Sequence, residues 1–172
     1  MTKGLQMRAG LYCCLILLAG CHAGHRTGVN SRKDIDEIKA GYANWKHAFE
    51  AKDLNGVMAV YAPEVVAYDL VPPLQFDGAD DYRKDYTALF AQFSGPLKLS
   101  VPRIHIEQSG NVAFAFGLER LRGTTSDGKP VDMWVRFSDG WERRNGQWVI
   151  AHEHVSVPVD IATGKARLDL TP

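Results

Sequence analysis

The chain has 172 residues with 20 Lys+Arg against 20 Asp+Glu, so its formal charge is zero, and the basic residues are interspersed with acidic ones. That balance excludes the basic patch on which a nucleic-acid partner depends. All three cysteines, Cys13, Cys14 and Cys21, lie within the first 21 residues, so the rest of the chain has no disulfide, thiolate nucleophile or cysteine-ligated zinc site.

Residues 1–20 carry Lys3 and Arg8, then the apolar run Leu11–Leu18, then Ala19-Gly20 before Cys21. This order of basic, apolar and small residues predicts a secretory signal, and the apolar run falls short of the roughly 20 residues that span a bilayer. Leu18-Ala19-Gly20-Cys21 resembles the bacterial lipobox, which implies lipidation at Cys21 and a mature chain starting there. His22 is not the aspartate associated with inner-membrane retention, which points to an outer-membrane anchor facing the periplasm. Removal of 1–20 leaves 18 basic against 20 acidic residues. Residues 21–31 read as a polar tether, 32–160 as one domain of about 130 residues with a single core, and 161–172 as a tail.

Within the domain, Ser31 and Asp34 form a capping signal, and Ile35, Ile38, Tyr42, Trp45 and Phe49 recur at helical steps over 32–52. Asp53-Leu-Asn-Gly56 breaks this helix, and a second short one carrying Val57, Met58 and Tyr61 stops at Pro63. Val65–Leu70 is a strand entering the Pro72-Pro73 loop, and Tyr82, Tyr86, Leu89, Phe90 and Phe93 mark a third helix closed by Gly95-Pro96. The rest reads as a meander: Leu97–Gln108 with a bulge or edge at Pro102, then Val112–Thr125, Val131–Arg143 and, past the Asn145-Gly146 hairpin signal, Trp148–Pro158. Helices first and hairpins second predict an α+β fold, with the helices on one face of a curved antiparallel sheet.

The run Phe49–Asp69 resembles the opening of the nuclear transport factor 2-like (NTF2-like) superfamily, which includes ketosteroid isomerases, scytalone dehydratase and SnoaL-like polyketide cyclases. Arg136-Phe-Ser138, Trp141, and Asn145-Gly-Gln-Trp148 running on to His154-Val-Ser156 are similar to the ending of SnoaL-like proteins. The resemblance spans residues 35–160 and implies an open cone with a pocket, a scaffold that hosts unrelated functions.

It also implies that Asp69 stands where the isomerases have their general base, whereas Trp45 and Ser138 replace the phenol and the second carboxylic acid of that site. Steroid isomerisation is thereby disfavoured. Arg136 and Ser138 share one strand face with Trp134 and Asp132, and if that face is concave, Arg136 holds a ligand oxygen or pairs with Asp69 or Glu153. His152, His154 and Ser156 share a face of the last strand with Glu153 opposite, and either histidine is a candidate acid or base beside Asp69. No third ligand at suitable spacing accompanies them, so neither a metal nor a cofactor is expected.

Tyr42, Trp45, Phe49, Tyr86 and Trp134 fit either a core or the wall of a pocket for a small apolar or aromatic molecule. Trp141 and the outward strand residues are candidates for a sheet-to-sheet homodimer. Three readings follow: a lipid-anchored small-molecule binder, a cofactor-independent isomerase, dehydratase or cyclase, and a non-catalytic dimeric interaction module.

Overall fold

The computed structural model describes residues 28–172; the signal segment, Cys21 and most of the expected tether lie outside the described residues. Helix α1 runs over Gly28–Glu50, starting four residues ahead of the expected position, so the Ser31–Asp34 pair lies inside its first turns. Buried Asp34 accepts from Gln108 at 3.0 Å and from Arg143, and so fastens α1 to the sheet. Helix α2 (Leu54–Met58) is capped by Asp53, whose carboxylate accepts the amides of Asn55 and Gly56 at 3.1 Å. Tyr61 belongs to strand β1 (Tyr61–Tyr68), not to this helix, and Pro63 sits within the strand. The short β2 (Phe76–Asp77) leads into α3 (Ala79–Ala91), which ends before Phe93 because the chain turns extended there.

The predicted strand around Pro102 is two strands, β3 (Phe93–Ser100) and β4 (Ile104–Ser109). Both pair with the same edge of the long β5 (Val112–Thr125), β4 along residues 112–117 and β3 along 120–125, and the break at Pro102 falls where no ladder amide is needed. Strand β6 (Pro130–Arg144) turns into β7 (Gln147–Ser156) through Asn145-Gly146, both at positive φ as a type I′ turn requires. A small hairpin, β8 (Val159–Asp160) with β9 (Lys165–Ala166), occupies part of the expected tail.

The main sheet has the order β2-β1-β7-β6-β5-β3, with β4 also on β5. It is mixed where an antiparallel sheet was predicted: β1 and β7 run parallel, since β1 reaches the last strand only after the helices and the rest of the meander have intervened. The core lies between the helices and one sheet face, where Ile38, Phe49, Val57, Val65, Tyr82, Leu97, Trp141 and Ile150 are buried. Trp141 is 1% exposed, its ring 5.1 Å from that of Tyr42, and it is therefore unavailable to a dimer surface.

Candidate functional site within the cone

Which side chains face the helices is decided by strand parity. On β1, Val65 and Ala67 are buried, so Asp69, two residues on, continues the inward face, while Tyr68 points outward. On β6 the inward set is Val135, Phe137, Asp139 and Trp141, and on β5 it is Ala113, Ala115, Glu119 and Leu121. On β7, Trp148 and Ile150 face inward, and simple alternation would send His152 in and Glu153 out. A bulge reverses this: Trp141 pairs with Ile150 but Gly140 with His152, which leaves Ala151 extra, and Glu153 becomes the inward residue opposite Asp139.

Three tyrosines join these acids. Tyr82 and Tyr86, one turn apart on α3, are buried against Tyr61 at the start of β1. The Tyr82 hydroxyl donates to Asp69 Oδ2 at 2.7 Å, and the Tyr61 and Tyr86 hydroxyls share a hydrogen bond of 2.7 Å. Asp69 Oδ1 accepts the Leu70 amide at 2.5 Å. Burial and the charge of Glu153 raise all three phenols well above the ordinary tyrosine range, so they act as hydroxyl donors at neutral pH.

The acids deeper in the cone are pushed the same way. Burial raises Asp139 well above the carboxylate range, and burial together with the charge of Asp139 raises Glu153. Desolvation and the charge of Asp69 bring Glu119 to about 7 and Asp85 to about 6. Asp139 Oδ1 and Glu153 Oε2 are buried with no hydrogen-bond partner. The interior therefore combines an acceptor at its rim, Asp69, with carboxylic acids and phenols able to donate.

The sequence-derived candidates divide between two faces. Asp69, Tyr42, Phe49 and Tyr86 belong to the inner side, with the Phe49 ring 6.4 Å from that of Tyr86. Trp45 is buried beside Phe49, its indole N–H unpaired, and it borders a groove between α1, α2 and Trp148. Arg136, Trp134 and Ser138 take the other side of β6; Arg136 is exposed, so the concave arrangement that would pair it with Asp69 or Glu153 does not occur. The inward acid of that stretch is Asp139, one residue beyond Ser138.

His152 and His154 are also outward, their rings 4.9 and 6.0 Å from the Tyr68 ring. His152 Nδ1 lies 2.8 Å from the Val66 carbonyl and so carries the proton there. His154 nevertheless lines, with Asp69, Ser156, Leu74, Gln75 and Val155, a rim groove of about 610 Å³. A second cavity of about 520 Å³ lies on the outer face, between His105, Phe116, Trp134, Arg136 and Pro172. Among the described residues no grouping of three His, Cys, Asp or Glu is arranged to hold a metal. Sequence reading missed Asp85, Glu119 and Asp139 as members of the inner set. For Glu119 and Asp139 the signal was present, an acid standing in the inward phase of an otherwise apolar strand.

An α+β cone of helices on a curved sheet, with its polar groups gathered inside, defines the NTF2-like class, and the comparisons place the chain within it. The SnoaL-like domain profile matches residues 38–160, and the chain belongs to that family. An NTF2-like protein of unknown function from Pseudomonas putida KT2440 is 30% identical, with a TM-score of 0.75, over 82% of this chain and 98% of its own. An NTF2-like superfamily protein from Salmonella enterica serovar Typhimurium is 20% identical (TM-score 0.69; 80% and 99% covered). A candidate scytalone dehydratase from Novosphingobium aromaticivorans shares the fold at 12% identity (TM-score 0.68; 75% and 87% covered). No functionally curated protein matches the chain.

Proposed function

We propose that this is an exported, lipid-anchored SnoaL-like protein whose cone binds a small apolar or aromatic molecule, entering past Asp69. The observation that carries this reading is the position of Asp69: its carboxylate borders the rim groove and takes a hydrogen bond from Tyr82, whose ring packs 4.9 Å from that of Tyr86 inside. Apolar walls with a few convergent polar groups are what a small-molecule site consists of. The signal segment and Cys21 support attachment to the outer membrane from the periplasmic side, and the apolar outer face of the sheet supports a homodimer. The inner set needs no cofactor for either binding or proton transfer.

A second reading, a cofactor-independent isomerase, dehydratase or cyclase, is favoured by one observation. Asp69 is the hydrogen-bond acceptor among groups whose raised pKa values keep them protonated, so a base and several acids face one interior. His154, which lines the same rim groove, would be the histidine to assist it.

The test is a solvent-deuterium exchange screen over enols, lactones and hydroxy-carbonyl compounds, with binding followed in parallel. If Asp69 is a base, Asp69→Asn lowers exchange by about 10²- to 10⁴-fold with binding retained. If the protein only binds, no exchange appears and Asp69→Asn changes affinity alone. Absence of both binding and exchange across the panel would leave the interaction-module reading.

A further inference from the structure

The cavity of about 520 Å³ on the outer face of the sheet is built by strand parity. His105 on β4, Phe116 and Leu118 on β5, and Trp134 and Arg136 on β6 each alternate with a residue of the inner face and so point outward together. Arg136 pairs directly with Leu118 on one side of β5. On the other side the chain enters β4 at Ile104, opposite Gly117, immediately after Arg103. The two arginines therefore flank Leu118, two strand spacings or about 10 Å apart at the backbone, a gap that their side chains can close on one small anion.

The floor between them is mainly apolar, and its rings are held in place. His105 stacks on Phe116 with centroids 5.0 Å apart and planes 10° from parallel. The Arg120 guanidinium lies 5.8 Å from the centre of the Trp134 ring while binding Asp132 at 2.6 Å. No aspartate or glutamate lines the cavity. Among the described residues neither Arg103 nor Arg136 enters an ion pair, whereas Arg120, Arg143 and Arg144 each bind a carboxylate of the chain. A guanidinium without a counter-ion offers a planar fork of donors that matches a carboxylate. The volume is that of a small-molecule site, and the two rings suit a flat apolar body.

We propose that this cavity is a second ligand site, for an aromatic carboxylate. The ring of the ligand lies against Phe116, Leu118 and Trp134, and its carboxylate is held between Arg103 and Arg136. The site is separate from the cone and does not depend on what the cone binds.

The experiment is calorimetry on the full chain in a nonionic detergent, with hydrocinnamate and its uncharged isostere hydrocinnamamide. The carboxylate is expected to bind at least about tenfold more tightly than the amide. Because both arginines are exposed, this preference should shrink as the ionic strength rises to ~1 M. Arg103→Gln with Arg136→Gln should remove the preference while amide affinity stays within about twofold. Trp134→Ala should weaken both probes alike. Equal affinity for the two probes, or a preference that survives loss of both arginines, overturns the carboxylate assignment. Parent-like binding by Trp134→Ala overturns the placement in this cavity. Failure of both probes to bind overturns the site, and a sedimentation mass lowered by the two arginine changes would then assign the face to a second copy.

Discussion

Glu119 shows how a single half-buried acid writes itself into the stability of the whole domain. Its carboxyl titrates at about 7 in the folded chain against an ordinary value of 4.5, because burial and the charge of Asp69 disfavour ionisation. Below pH 4.5 both folded and unfolded chains are protonated there, and the group has no effect. Between 4.5 and 7 the unfolded chain gives up the proton while the folded one keeps it, so stability falls as pH rises. Above 7 a penalty of about 3 kcal/mol remains. Glu119→Gln should then match the parent at pH 4 and exceed it by up to about 3 kcal/mol at pH 8, as read from urea unfolding at the two pH values. A variant less stable than the parent at pH 8 would show that the carboxylate is held by partners in the folded state. Asp69 was legible in the sequence because the Phe49–Asp69 run resembles the opening of the superfamily, which implies a base at that position. Asp139 stands in the inward phase of its strand, but the family resemblance falls on the neighbouring Ser138, which lies on the opposite face.

At the scale of elements, the helix stripe Ile38–Tyr42–Trp45–Phe49 and the Asn145-Gly146 hairpin could be read directly, since local spacing and local turn chemistry determine both. The parallel β1–β7 pairing could not, because it joins strands separated by most of the domain. Nor could the bulge at Ala151, which decides whether His152 or Glu153 enters the cone: an extra residue on one strand leaves no mark in that strand's own sequence. The outer face of β5 has a consequence of its own. Val112 and Phe114 are 55% and 50% exposed, Phe116 and Leu118 follow in the same phase, and His105 stacks on Phe116 at 5.0 Å. A continuous apolar strip of this kind on a sheet face marks a contact surface, and we expect a second copy to cover it. Phe116→Lys should weaken self-association at least about tenfold in sedimentation equilibrium. A mass that stays the same as the parent's, whether monomer or dimer, would sink the assignment of this strip.

At the scale of the whole molecule, the proposed lipid anchor at Cys21 would set where the domain sits. Residues 22–27 alone separate Cys21 from the first residue of α1, and a chain of that length reaches at most about 20–25 Å. A lipid on Cys21 would therefore keep the domain close to the bilayer surface. Among the described residues no helix is long and apolar enough to cross a membrane. One acyl chain gives only marginal membrane binding, and stable anchoring takes two signals, which a multiply acylated N-terminal cysteine supplies without help from the near-neutral domain. Growth of a bacterial host with an alkyne fatty acid should label the full chain, and fractionation should place it with the outer membrane. Cys21→Ser should lose the label and move the protein to an unprocessed or soluble form, with the cone still folded. Label that survives this substitution would refute the anchor, and fractionation with the inner membrane would refute its sorting while leaving lipidation intact.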